Sequence, residues 1–338
     1  MQKPLRERID VDPTPRLPAG PGPVRWRRAT PEDAEQLAEL AGAIAAADHP
    51  EWAETAEELA EELAHSWMDL DADSVIGDVE GELVAYGLQV APPDPETVVR
   101  SIAMGGVRPS ARGSGIGREL LDWHRLRARQ QLASSELALP GWHMLYVEEA
   151  NASGIALATR AGLPLVRWFT NMTRDLADEI PDVPLPEGLR LATPTQDDVG
   201  RIRDARNDAF RDHWGSQPSS EEGWASFTGS SVLRLDLSAI ALDGDRVAGL
   251  VLSQVNPADF ALQGYEGGYI PLVGVVRDWR RRGVAPALLS EVMRRHRAEG
   301  YAQVGLDVDS ESPTGALGLY TGMGFRAVSR SLAFVEEL

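Results

Sequence analysis

Two stretches of the chain place arginine and glycine at one spacing: Arg112-Gly113-Ser114-Gly115-Ile116-Gly117 and Arg280-Arg281-Arg282-Gly283-Val284-Ala285. In each, a valine (Val107, Val275) stands five residues before the first arginine. Val275 lies in an apolar run, Gly268 to Val276, that reads as a buried strand, and the residues after Gly283 begin a helical pattern with Leu288, Leu289, Val292 and Met293 on one face. A strand that ends in a glycine loop and opens a helix is a generic anion site. The first helical N–H groups have no partner inside the helix, the dipole favours negative charge there, and glycine lets a ligand approach the backbone. Arginine adds charge-assisted bonds to phosphate oxygens. Pro286 fits the first helical turn, where no N–H partner is needed. A P-loop would end in Gly-Lys-Ser/Thr, and Gly113 to Gly117 followed by Arg118 fails the dinucleotide fingerprint.

The elements that must hold these loops recur along the chain. The segment from Arg25 to Leu40 resembles that from Gly188 to Ile202: a short strand pattern, Ala-Thr-Pro, acids, then helical spacing, with threonine as N-cap. Asp48-His49 answers Asp212-His213, Glu80-Gly81 answers Asp243-Gly244, Arg112 answers Arg280, and Gly162-Leu163 answers Gly324-Phe325. Ordered matches about 165 residues apart predict a duplicated domain. Three prolines among acids make 178–187 a stiff linker, so the domains are expected at 24–177 and 188–338, with 1–23 a mobile Pro-, Arg- and Gly-rich arm. In the second copy a hairpin around Asp243-Gly244, a buried strand, a helix, a strand, a short helix and a last strand follow in order, which describes an α/β domain with a mixed sheet.

With 338 residues, the chain is long enough for two such domains. Its net charge of -19 argues against a partner such as nucleic acid or an anionic membrane, and weakly suits a cationic substrate. No cysteine is present, which removes disulfides, thiolate metal sites and a cysteine nucleophile; the six histidines show no metal-ligand spacing, so no metal is expected. The absence of a long apolar run or secretory signal makes a cytoplasmic protein the expectation.

The doubled Arg-x-x-Gly-x-Gly/Ala resembles the pyrophosphate loop of the GCN5-related N-acetyltransferase (GNAT) family, which binds acetyl-CoA. The stretch from Ser312 to Phe325, SPTGALGLYTGMGF, looks like that family's Asn-x-x-Ala-x-x-x-Tyr-x-x-x-Gly-Phe segment. The resemblance covers nearly the whole chain. It implies two tandem acyl-CoA N-acyltransferase domains, each a mixed, mostly antiparallel sheet flanked by helices, with acetyl-CoA as acyl donor and direct attack by an amine. Donor contacts would come from Val275, Val276, Arg277, Arg280, Arg281, Arg282, Gly283, Val284, Ala285 and Ser312, and in the first copy from Val107, Arg112, Gly113, Ser114, Gly115, Ile116 and Gly117. An N–H near Val275 would polarise the thioester carbonyl. Tyr320 stands where the family places its acid; the matching residue of the first copy is Ala158, so the chemistry is expected in the second. Glu266 and Tyr269, on or just before the central strand, are the expected base or base relay. The acceptor pocket would include His213, Trp214, Glu222 and Trp224, which together can cage a cationic, partly apolar amine.

The expected activity is N-acetyl transfer to a primary amine of a small molecule or peptide, by a monomer that is an internal pseudo-dimer. No residue names the acceptor. Mycothiol synthase, a tandem member of the family, shares this general layout, and an antibiotic, polyamine or amino acid fits as well. The competing class is a CoA-binding regulatory protein without catalysis.

Overall fold

The computed structural model describes residues 3–20, 23–49, 52–312 and 315–338. The first copy forms α1 (Leu5–Arg8), β1 (Arg25–Arg27), α2 (Ala34–Asp48), α3 (Ala56–Ala64), α4 (Leu70–Asp73), β2 (Ser74–Val79), β3 (Glu82–Val90), β4 (Val99–Val107), α5 (Ile116–Ala133), β5 (Gly141–Glu148), α6 (Ala152–Arg160) and β6 (Leu165–Asp175). The second forms β7 (Arg190–Ala192), α7 (Val199–Ala209), α8 (Glu221–Gly229), β8 (Ala239–Asp243), β9 (Arg246–Gln254), α9 (Phe260–Gln263), β10 (Gly267–Val275), α10 (Val284–Ala298), β11 (Gln303–Asp309), α11 (Ala316–Gly322) and β12 (Arg326–Glu337). The repeat extends to the helix caps. The backbone N–H of Thr30 donates to Asp33 at 2.8 Å before α2, and that of Thr195 donates to Asp198 at 2.8 Å before α7.

The chain divides into two compact units that do not follow the two copies. One unit holds residues up to Arg167 together with Ser331–Leu338; the other is Trp168–Arg330. The copies have exchanged their last strands. In the first unit the order is β1-β2-β3-β4-β5-β12, with Ser331 of β12 opposite Glu148 of β5. In the second it is β7-β8-β9-β10-β11-β6, with Asp309 of β11 opposite Phe169 of β6. Pairing is antiparallel throughout except β4 with β5 and β10 with β11. Apolar side chains hold each exchanged strand. Leu332 and Phe334 join Leu121 and Val147 in the first unit, and Met172 joins Met293, Leu306 and Phe325 in the second. The boundaries expected at 177 and 188 thus differ from the physical ones, because periodicity within a strand does not record which sheet receives it.

The N-terminal segment expected to be mobile is docked. Leu5 and Ile9 pack on Leu132 of α5. Gln130 donates to the carbonyls of Asp12 and Thr14, and Trp123 to that of Arg16. The 178–187 segment has no regular structure, but Ile180 and Leu185 pack on the second unit's core. Among the described residues no helix is long and apolar enough to cross a membrane, and no cluster of histidine and carboxylate side chains is arranged to hold a metal ion.

Candidate active site

The two arginine-glycine loops have one geometry. β4 and β10 each end at a valine, a short 3-10 turn follows, and a glycine with positive φ (98° at Gly115, 86° at Gly283) caps the helix. A side chain there would be strained, and a Cβ at either position would meet nothing within 4 Å, so the loop backbone faces open space. The helix leaves the N–H groups of Ile116 and Gly117, and of Val284 and Ala285, without an intrahelical acceptor. These amides fit a pyrophosphate.

The arginine side chains do different work from that expected. Arg112 donates from Nε to the carbonyl of Val107 at 3.1 Å and grips Asp48 with two bonds of 2.7 Å. Arg280 donates to the carbonyl of Val275 at 3.3 Å, to Asp212 at 2.9 Å and to the carbonyl of Ala209 at 2.9 Å. Arg277 also pairs with Asp212. Both first arginines therefore tie the loop to the C-terminal end of the first long helix of their copy, α2 or α7, rather than pointing at a ligand, which explains why Asp48 and Asp212 repeat with them. Arg281 and Arg282 are exposed, the latter stacked over Trp279. Val276 is also removed from the expected contacts: its side chain is core and its N–H goes to the carbonyl of Ala248 at 3.0 Å. Strand alternation then turns the N–H groups of Val273 and Val275 to the opposite edge, toward β11. Ser312 belongs to the turn after β11, its N–H bonded to the carbonyl of Asp309.

That edge is open. β10 pairs with β11 only from Gly267 to Tyr269, whereas β11 stays paired with β6 as far as Asp309. The register of β10 slips between Tyr269 and Leu272, around Pro271, which has no N–H for a ladder. Beyond Tyr269 the two strands leave a wedge that leads along β10 to the loop at Val275.

Three groups meet where the wedge begins. The Tyr269 hydroxyl donates to Asp307 Oδ2 at 2.9 Å. Burial, then the Asp307 carboxylate, push the Tyr269 phenol well above its ordinary value, and Tyr320 lies close enough to add to the shift. Tyr320 is 7% exposed, among Val308, Met323 and Phe325, and burial pushes its phenol up too. Both phenols therefore keep their protons at neutral pH. Tyr269 cannot be a base by itself; it holds the carboxylate beside it. Glu266 is exposed before the first residue of β10, at the end of the strand away from the loop, and its backbone carbonyl serves Ala302. It does not join the cluster.

The expected acceptor residues divide. His213 follows α7, where burial pushes its imidazole down and Asp309 pulls it partly back. Trp214 lies 6.4 Å from Phe169. Trp224, by contrast, is core: it is 5% exposed, packed with Ile202 and Leu250, and its Nε1 donates to the carbonyl of Val199 at 2.8 Å. Glu222 is exposed in the first turn of α8. The acids near the wedge are Asp307 and Asp309 instead. They were legible, since Leu306-Asp307-Val308-Asp309 alternates as a half-buried strand does. Phe169 carried no such signal, because it comes from the other copy.

A model of the acetyltransferase (GNAT) family matches residues 199–325, which run from α7 to the Phe325 beside Tyr320. A crystal structure of a GCN5-related N-acetyltransferase from Sphaerobacter thermophilus is 29% identical, with a TM-score of 0.70 over 94% of this chain and 97% of that one. The chain is a GNAT superfamily member. A tandem GNAT protein from the clavulanic acid biosynthesis pathway, at 17% identity, shares the fold with a TM-score of 0.65 over 93% of this chain and 98% of its own. A curated relative, the mycothiol acetyltransferase of Nocardioides sp., is 28% identical over 65% of this chain and 74% of that protein.

The two GNAT units differ at the wedge. In the first, β4 pairs with β5 from Val99 to Ala103 without a register slip against β3, and Ala158 is 1% exposed in the core where the second unit has Tyr320. The first unit keeps the loop and lacks the phenol.

Proposed function

We propose that the second unit transfers an acetyl group from acetyl-CoA to a primary amine, and that the first is a non-catalytic unit able to hold acetyl-CoA at its own loop. The observation that carries this reading is the buried Tyr320 beside the Tyr269–Asp307 pair, at the head of a wedge that ends in an amide-lined loop.

Acetyl-CoA supplies the activated acyl group when bound. The amides of Val284 and Ala285 hold the pyrophosphate, and Val273 and Val275 offer N–H groups to the pantetheine arm and the thioester oxygen. Asp307 takes one proton from the incoming ammonium, directly or through the hydroxyl of Tyr269. The freed nitrogen attacks the carbonyl carbon; the C–N bond forms as the C–S bond breaks. Tyr320 gives its proton to the departing sulfur and regains one from the nitrogen, which ends as an amide with a single hydrogen. The proton on Asp307 passes to solvent.

The relatives at 28% identity favour a mycothiol-type amine as the first acceptor to test. The test is an amine panel with acetyl-CoA, read as thiol release, for the native protein and Tyr320→Phe. We expect turnover with at least one amine and a loss of about a hundredfold in kcat in the variant, with acetyl-CoA affinity by calorimetry within about twofold. Binding without turnover of any amine would instead support a CoA-binding regulatory protein.

A further inference from the structure

The exchanged strand β6 brings a second polar group to the wedge. Asn171 stands directly opposite Asp307 in the β6–β11 ladder, so the two side chains leave the same face of the sheet as neighbours. Its Oδ1 is buried and has no hydrogen-bond partner among the described residues. The residues on either side of it are accounted for: Thr170 Oγ1 bonds Ser310 Oγ at 2.7 Å, and Met172 is in the core. A buried amide oxygen left without a donor is unfavourable in a finished core, so one placed beside a carboxylate at the wedge points to a donor supplied from outside. Two places along β6, Phe169 stands opposite Asp309 and near Trp214.

We propose that Asn171 is an acceptor-binding and specificity residue of the second unit. This rests on the transfer reading above. Its Oδ1 receives one N–H of the acceptor amine while Asp307 receives another, and the body of the acceptor lies on Phe169 and Trp214. The substrate class is a primary amine with an apolar or ring-shaped body. The two oxygens differ in a useful way. Asp307 is neutralised when it takes the proton, whereas the amide oxygen of Asn171 accepts equally before and after. It therefore keeps hold of the nitrogen while the lone pair turns to the thioester. The first copy thus contributes a substrate contact to the catalytic centre of the second.

The test uses the full chain with Asn171→Leu, which keeps size and removes the oxygen. The probes are 2-phenylethylamine and glucosamine, together with the best amine of the panel. We expect KM for the amine to rise about tenfold or more, kcat to fall less, acetyl-CoA affinity to stay within about twofold, and the melting temperature to hold or rise. Direct calorimetry of amine binding to protein without acetyl-CoA should show the same loss. An amine KM and amine affinity within about twofold of native would overturn the proposal, as would a loss of acetyl-CoA affinity as large as that for amine. A native protein that binds amine through Asn171 but transfers nothing would sink the transfer reading and leave this one standing.

Discussion

The guanidinium of Arg280 is bound to the carboxylate of Asp212 at 2.9 Å, and Arg112 holds Asp48 at 2.7 Å in the same way. In both units an arginine–aspartate ion pair ties the anion loop to the C-terminal end of the first long helix, at Asp48 of α2 and at Asp212 just past α7. The arginine shapes the loop, and the backbone is left for the ligand.

Breaking this tie should loosen the loop without touching the chemistry. Asp212→Ala is expected to raise KM for acetyl-CoA by about three- to tenfold with kcat nearly unchanged. Direct charge contact between Arg280 and phosphate would give a different result, since freeing the arginine would then tighten binding. Steady-state kinetics with varied acetyl-CoA decides between them.

Asp307→Asn should lower kcat by about a hundredfold and Glu266→Gln should leave it within about twofold, because Asp307 accepts the Tyr269 hydroxyl bond at the wedge whereas Glu266 is exposed before β10. If the Glu266 variant loses activity instead, the wedge is not where the proton leaves.

The strand exchange makes an unusual demand on stability. Phe334 comes from the second copy, is 2% exposed, and packs on Leu121 and Val147 of the first unit. Phe334→Ala should cost about 3–5 kcal/mol, and hydrogen exchange should show faster opening in β4, β5 and α5 rather than in β10 and α10.

His124 should make the first unit acid-sensitive. Burial, then the neighbouring His143, hold its imidazole down to about 3, and Nδ1 lies 2.7 Å from Gln89 Oε1. The folded state favours the neutral ring, so this contribution is complete above the ordinary value near 6.5. It is lost as pH falls from there toward about 3, at up to ~1.4 kcal/mol per pH unit. Urea unfolding between pH 7 and 4.5 should show a steeper decline for the native protein than for His124→Gln. Equal slopes would remove His124 as the cause.

Much of this was legible one residue at a time. The repeat, the threonine caps, the helix-opening glycines and the tyrosine on α11 depend on contacts within a few residues, and local spacing records those. Asp307 and Asp309 were also within reach, through strand alternation. Trp224 misled because tryptophan suits a cage and a core equally, and only its bond to Val199 and its neighbours Ile202 and Leu250 tell them apart. The arginines misled for a related reason. Charge beside a glycine loop suggests phosphate, but a guanidinium reaches several ångströms, and Asp212 was already within its reach. What the chain could not announce at all is which sheet takes its last strands. β6 and β12 have the same apolar alternation in either unit, and pairing is decided by backbone ladders and packing between residues far apart in sequence. That choice puts Phe334 in the first core and Asn171 beside Asp307 in the second.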